Sequence, residues 1–298
     1  MPAPTSTAIL RNGETRLPSM QSEFSAVVFS GGGCRCFWQA GFWATAAPQL
    51  ELKPKAIAAV SAGAAFACAA FGGATDAVLA SFIRRTRDNP RNFYPGNVLR
   101  REAVFPHEPM YRGTILETMD AAVLERLRTA PEIRVLMTRP PRHVHSIPAL
   151  AMGFAAYGID RLVRRRVHPT AARSLGFQPM VVTVQSCKTP AELADLIMHS
   201  SCMPPLTPAY RRDGRAVIDG ALLDAAPADL VDEFDRTLVL LSRRYEELPE
   251  HPARLYVQPS EDPPIKMWDY ANPDLIQAAY DLGRRDGDTF AAERLAAH

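Results

Sequence analysis

The sequence predicts an α/β protein, three layers of α/β/α around a mostly parallel sheet. Three observations carry that prediction: short unbroken apolar runs that stop at glycine or serine, helical patterns alternating with those runs, and a length of 298 residues, near the limit of a single core. The run SAVVFS at 25–30 ends at Gly31, Gly32 and Gly33, and 34–50 reads as a helix in which Phe37, Trp38, Phe42 and Trp43 form the buried face. KAIAAV at 55–60 is the second strand, stopped by Ser61, and 62–71 carries helix-forming residues up to Gly72-Gly73. Amphipathic helices are predicted at 75–87 and 112–127, with a loop holding Pro90, Pro95, Pro106 and Pro109 between them. IRVLMT at 133–138 is a third strand, 180–184 a fourth, and Val217-Ile218 closes a fifth; 237–241 and 254–257 are further strands. Thr189-Pro190-Ala191-Glu192 is a capping box with proline at the first helical position, and Asn272-Pro273-Asp274 opens a long C-terminal helix. The Pro- and Arg-rich stretch 139–179 interrupts the alternation and is the candidate insertion or lid.

Composition narrows the function classes. An apolar fraction of 47% and a charged fraction of 22% exclude a disordered chain, a collagen and a disulfide miniprotein. A net charge of +2 excludes a dedicated nucleic-acid binder. Cys34, Cys36, Cys68, Cys187 and Cys202 are odd in number and form no C-x-x-C pair, which argues for buried thiols and against a disulfide framework or a zinc site. His143 and His145 stand at strand spacing without a third ligand, so neither metal nor cofactor is expected. Residues 1–24 read as a polar lead-in without a signal-peptide layout, 25–290 as the main domain and 291–298 as the end of the last helix or a tail. No apolar window reaches the ~18 residues of a membrane span. The expected location is the cytoplasm or a membrane surface.

Three motifs carry chemistry. Ala59-Val60-Ser61-Ala62-Gly63 approaches the G-x-S-x-G elbow, a serine on a strained strand-to-helix turn flanked by very small residues. At a helix start, the dipole favours an alkoxide and the Ala62 amide can face a developing oxyanion. Equally, Ser61 reads as a plain helix cap. Gly31-Gly32-Gly33-Cys34-Arg35 offers successive amides ahead of a helix, an anion nest or a nucleotide-binding turn. No Lys-Ser/Thr follows, which excludes a P-loop, and Cys36 stands where a dinucleotide fingerprint needs glycine. Asp219-Gly220-Ala221 follows a short apolar run, and its aspartate either projects into a cleft above the sheet or bonds its own turn.

Taken in order, these motifs resemble those of the patatin-like phospholipase family: a G-G-G-x-R oxyanion loop, a G-x-S-x-G elbow and a D-G-G/A box. The segment 199–208, rich in serine and proline and followed by Asp213-Gly214, is similar to the family's approach to its aspartate, and Asp281-Leu282-Gly283-Arg284 to the closing helix of bacterial members. The resemblance covers roughly 25–290. It implies a Ser-Asp dyad, with Ser61 as nucleophile and Asp219 as general base. It also implies an oxyanion hole of backbone amides around Gly32, Gly33 and Cys34, steadied by Arg35. Activity would be hydrolysis of phospholipid or other lipid acyl esters through an acyl-enzyme. Three positions depart from the family pattern: Ala59, Cys36 and Asp224.

Residues 147–167 run from apolar to basic, ending in Arg161, Arg164, Arg165 and Arg166. They read as a core helix with cations at its C-terminal end, or as an interfacial helix facing anionic lipid. Two other readings of the whole chain stand beside the dyad. One is a Ser-His-Asp esterase using His251; the other is a catalytically silent lipid- or nucleotide-binding module in which Cys36 spoils the hole.

Overall fold

The computed structural model describes residues 23–100, 102–141, 167–168, 171–204 and 206–297. Residues 1–22 of the lead-in, 142–166, 169 and 170 of the candidate lid with Arg161 and the arginines 164–166, and His143 and His145 lie outside the described residues. In chain order the strands are β1 (Ala26–Phe29), β2 (Ala56–Val60), β3 (Glu132–Arg139), β4 (Gln178–Thr183), β5 (Arg211–Arg212), β6 (Arg215–Ala216), β7 (Ile218–Asp219), β8 (Thr237–Leu240) and β9 (Arg254–Val257). The main sheet runs β4-β3-β2-β1-β8-β9, parallel from β3 through β9, with β4 antiparallel at the edge. β5 and β6 form a separate hairpin.

The strands are apolar throughout because both faces are covered. Val27, Phe29, Ile57, Ala59, Leu238 and Leu240 enter one core, and the alternating Ala26, Val28, Ala56, Ala58 and Val239 enter the other. The first core is covered by helices: α1 (Phe37–Gln49), α2 (Ala62–Phe71), α3 (Thr75–Arg87), α4 (His107–Thr118), α5 (Ala121–Thr129), α6 (Pro190–Ser200) and α7 (Pro273–Ala296). Among the described residues, the second is covered by a 3-10 turn at Ala228–Val231, by flanking loops and by Val167. The result is the three-layer α/β/α architecture with a mostly parallel sheet. Among the described residues no helix is long and apolar enough to cross a membrane.

Local expectations hold in the main and fail where short-range signals conflict. Thr189 Oγ1 accepts the Glu192 amide at 3.2 Å, as the capping box requires, while Glu192 Oε2 takes the Lys188 amide at 2.8 Å. Phe37, Trp38, Phe42 and Trp43 are buried, and so are all five free cysteines. The helix expected at 112–127 is two helices. The Asp120 side chain accepts the Val123 amide at 2.9 Å and starts α5 afresh, and α4 begins earlier because Pro109 falls in its first turn, where a proline costs no helical bond. The fifth strand is also different: β7 is a two-residue antiparallel bridge, not the end of a parallel strand.

That bridge has a fixed address. β2 occupies one edge of β3 along 132–136, and β4 occupies the other along 134–139. β7 pairs with Met137 and Thr138, so it lies on the β2 side, in line with β2 and just past Val60. Asp219 is thereby placed beside the residue that follows β2, which is Ser61.

α1 and α7 cross in backbone contact. A Cβ on Gly41 would stand 2.0 Å from the Tyr280 carbonyl oxygen, and one on Gly283 2.0 Å from that of Trp38. No rotamer change relieves a collision with main chain. Gly283→Ala is therefore expected to lower the denaturant midpoint by the equivalent of ~1–3 kcal/mol at unchanged m-value, despite alanine's better helix propensity. An unchanged midpoint in urea titration would remove this account of the crossing.

Candidate active site

The crevice forms where the chain changes direction. From β1 it moves to β2 and β3 on one side, then later fills β8 and β9 on the other, so the loops after β1 and β2 meet at the carboxyl edge. Ser61 follows β2 directly and opens α2. Its backbone sits at φ 54, ψ −133, a conformation that costs a non-glycine residue of order 1–3 kcal/mol. The surroundings hold it there. Its amide donates to Ser200 Oγ at 2.8 Å, and Ser200 Oγ in turn donates to the Leu136 carbonyl at 2.7 Å. Gly63 must lack a side chain, since a Cβ would lie 2.3 Å from the Phe29 carbonyl oxygen.

Ser61 Oγ donates to Asp219 Oδ2 at 2.7 Å across 158 positions of sequence, and both residues are buried. Asp219 Oδ1 accepts the Ala221 amide at 2.8 Å, its own amide donates to the Cys202 carbonyl, and Thr138 Oγ1 donates to its carbonyl. Gly220 passes so close to β3 that a Cβ would meet the Leu136 carbonyl oxygen at 2.3 Å. Burial raises the Asp219 carboxyl to about 7, against the bonds from Ser61 and the Ala221 amide, which pull it down.

The glycine loop lies alongside. Gly31 packs against Ser61, and a Cβ there would come within 3.3 Å of the Ser61 Cβ. Its amide donates to the Ala225 carbonyl, and its carbonyl accepts Ser242 Oγ at 2.6 Å. Gln39 Nε2 donates to the Ser30 carbonyl at 3.0 Å, and Arg35 Nε donates to the Gly32 carbonyl at 3.3 Å. Among the described residues, the amides of Gly32, Gly33 and Ala62 have no hydrogen-bond acceptor. Cys34 differs from expectation: its amide donates to the Met267 carbonyl at 3.0 Å and its thiol to the Asp269 carbonyl, so it belongs to the scaffold of the loop. The Cys36 thiol, pushed up to about 12 by burial, donates to the Ser30 carbonyl beneath the loop. Ala59 is fully buried in β2.

Two other residues fall elsewhere. His251 precedes β9 and so lies at the amino edge of the parallel sheet, opposite the crevice; it is exposed, and its Nδ1 accepts the Ala253 amide. That position removes His251 as a partner for Ser61. Asp224 serves the second face, where it accepts the Ala226 amide and meets His168 Nδ1 at 2.9 Å, while His168 Nε2 meets the Tyr256 hydroxyl. Ser200, Ser242 and Gln39 were missed as site residues by sequence reasoning. Of these only Ser200 lies in the serine- and proline-rich run 199–208, and its bond to Ser61 has no local signature.

Beside Ser61 a cavity of about 550 Å³ runs between α2, α3, α4 and the segment 267–270, walled by Phe37, Phe66, Phe82, Ile115, Met119 and Trp268. That volume includes space open to solvent, and the surface lining it is apolar. Fold and site together define an α/β protein with a buried serine–aspartate pair, a glycine loop and an apolar cavity at one sheet edge. The chain belongs to the patatin-like phospholipase family, whose model matches residues 27–232, and so stands among the lipid acyl hydrolases. A search of curated proteins finds none that matches the chain.

Asp219 also links site and stability. Folded, it holds its proton more tightly than in the unfolded chain, where an aspartate has a pKa of ~3.9. Its contribution is full below that value and is lost as pH rises through about 7. Asp219→Asn should therefore melt above the wild type at pH 8, with the advantage shrinking towards pH 5. Melting curves at both pH values check this; an equal difference at both would show that the carboxyl is not perturbed.

Proposed function

We propose that the protein is a serine acyl hydrolase of the phospholipase A or lysophospholipase type, with Ser61 as nucleophile and Asp219 as its only side-chain base. The observation that supports this most directly is the 2.7 Å bond from Ser61 Oγ to Asp219 Oδ2 at the mouth of an apolar cavity. In the first half-reaction, Ser61 Oγ attacks the ester carbonyl while its proton passes to the Asp219 carboxylate. The C–O bond to the alcohol breaks, and Asp219 returns the proton to the departing oxygen. In the second, water gives a proton to Asp219, attacks the acyl-enzyme and frees the acid, and the proton returns to Ser61. A base near 7 suits catalysis at neutral pH. The amides of Gly32, Gly33 and Ala62 are the donors for the oxyanion, and the strain at Ser61 holds the hydroxyl at the point they serve. No cofactor or metal enters this reading.

The substrate class is a phospholipid or related acyl-ester lipid, with contact at an anionic membrane surface. Phe93 and Leu99, half-exposed and exposed in the 88–106 segment, are described residues suited to that contact. The test is a panel of p-nitrophenyl esters and phospholipids. Ser61→Ala should fall to the uncatalysed background, and Asp219→Asn should lose ~10²–10⁴-fold in kcat, the contribution of a positioned base. For the wild type, kcat/KM should decline below about pH 7 as Asp219 takes up a proton. Hydrolysis surviving in Ser61→Ala, or failure of a fluorophosphonate to label Ser61, would refute the assignment.

A further inference from the structure

Directly behind the apolar lining of the cavity lie polar atoms that nothing answers. His107 Nε2 and the hydroxyls of Tyr111, Thr114 and Ser201 have no hydrogen-bond partner among the described residues, and all four residues line the cavity that starts at Ser61. They are only 4, 8, 2 and 3% exposed. These are four of the ten buried side-chain atoms left without a partner among the described residues, gathered in one place. Each such atom costs ~1–3 kcal/mol if nothing answers it.

Their arrangement is directional. His107, Tyr111 and Thr114 stand at i, i+4 and i+7 of α4, hence on one face, and the helical rise spreads them over ~10 Å. Ser201 follows α6, next to the Ser200 that holds the Ser61 amide. Its hydroxyl acts on the ionisation of Tyr111, yet the two fall short of hydrogen-bond geometry. Tyr111 and Ser201 therefore form one polar spot, tied to the nucleophile's surroundings through Ser200. His107 is neutral, because burial lowers it to about 4. The Tyr270 hydroxyl is hydrogen-bonded to His107 Nδ1, so Nε2 is the ring nitrogen left without a partner. Behind its apolar lining the wall thus holds one imidazole nitrogen and three hydroxyls without partners.

We propose that this cavity takes an oxygenated acyl chain, so that the preferred substrates are esters of hydroxy acids, with the chain hydroxyl seated among Tyr111, Ser201 and the outer turns of α4. The inference rests on Ser61 as the acylated residue, since that sets which end of the chain enters. A hydroxyl both gives and accepts a proton, so it can answer two of these groups at once, and a plain alkyl chain answers none. Discrimination built on buried hydrogen-bonding groups is steep, because the unoxygenated analogue leaves them unpaired.

The experiment compares p-nitrophenyl decanoate with the isomeric hydroxydecanoates carrying the hydroxyl at successive carbons, on wild type, Tyr111→Phe, Thr114→Val and Ser201→Ala. In the wild type at least one isomer should exceed decanoate in kcat/KM by about tenfold or more, and Tyr111→Phe should collapse that ratio. A wild type that cleaves decanoate as well as every isomer, or a ratio that survives in all three variants, overturns the proposal. If no ester is cleaved, the hydrolase reading is what fails. The cavity is then read by the thermal shift of Ser61→Ala with free hydroxydecanoic acids against decanoic acid. A larger shift with a hydroxy acid upholds the inference and equal shifts overturn it.

Discussion

The bond between Ser61 and Asp219 is the constraint around which the rest of the molecule is arranged. Its two ends lie 158 positions apart, both are buried, and one is a carboxyl that burial makes reluctant to ionise. Strand β3 acts as the ruler. Its Leu136 carbonyl accepts Ser200, whose hydroxyl holds the Ser61 amide, and the next two residues pair with β7, which carries Asp219. A slip of one residue in β7 would turn Asp219 to the other side of the sheet. Gly220 lets the chain pass β3 without a gap, and Thr138 fixes the Asp219 carbonyl. Geometry that precise is needed because a carboxylate is a weaker base than imidazole and gains little from a loose contact.

The glycine loop is held from the opposite direction. Leu240 and Ser242 lie at the end of β8, on the other side of β1 from Ser61, and Ala225 follows the Asp219 turn. They reach the loop through the Gly31 amide, the Gln39 amide group and the Gly31 carbonyl. With its flanks tied down, the loop keeps the amides of Gly32 and Gly33 out of its internal bonding. The departures from the family pattern fit into this frame. Cys36 fills the space beneath the loop and turns its thiol to the Ser30 carbonyl, and Ala59 adds one methyl to the core between its neighbours on β1 and β3. Neither residue displaces the serine.

How much of this could be read from the sequence depends on the range of the interaction. Gly31 to Gly33, Ser61 and Asp219 each sit in a short run whose backbone demands are local, and continuous apolar runs such as AIAAV announce a sheet covered on both faces. The antiparallel pairing of β7 was not legible, because two residues carry no periodicity and their partner lies about 80 positions away. Nor was the break at Asp120, since apolar spacing continues across it and only the side-chain cap separates the helices. Cys34 was read as an oxyanion donor from its place after the glycines, but Met267, far along the chain, takes its amide. The cavity wall was not legible for the same reason: it is collected from six parts of the chain.

Site and cavity share one electrostatic condition. The burial that raises Asp219 towards neutrality also lowers the local dielectric, which strengthens its bond to Ser61 and any bond to an oxyanion. The same surroundings make an unanswered hydroxyl more costly than it would be in water. Had the cavity evolved only to exclude water from the serine, valine or leucine at 111 and 114 would do so without that cost. Tyr111 and Thr114 instead keep their hydroxyls buried within the wall, on the same helix face as His107. Polar groups retained where they are most expensive point to a bound molecule that repays them, and the face they share sets where along its chain that molecule must carry oxygen.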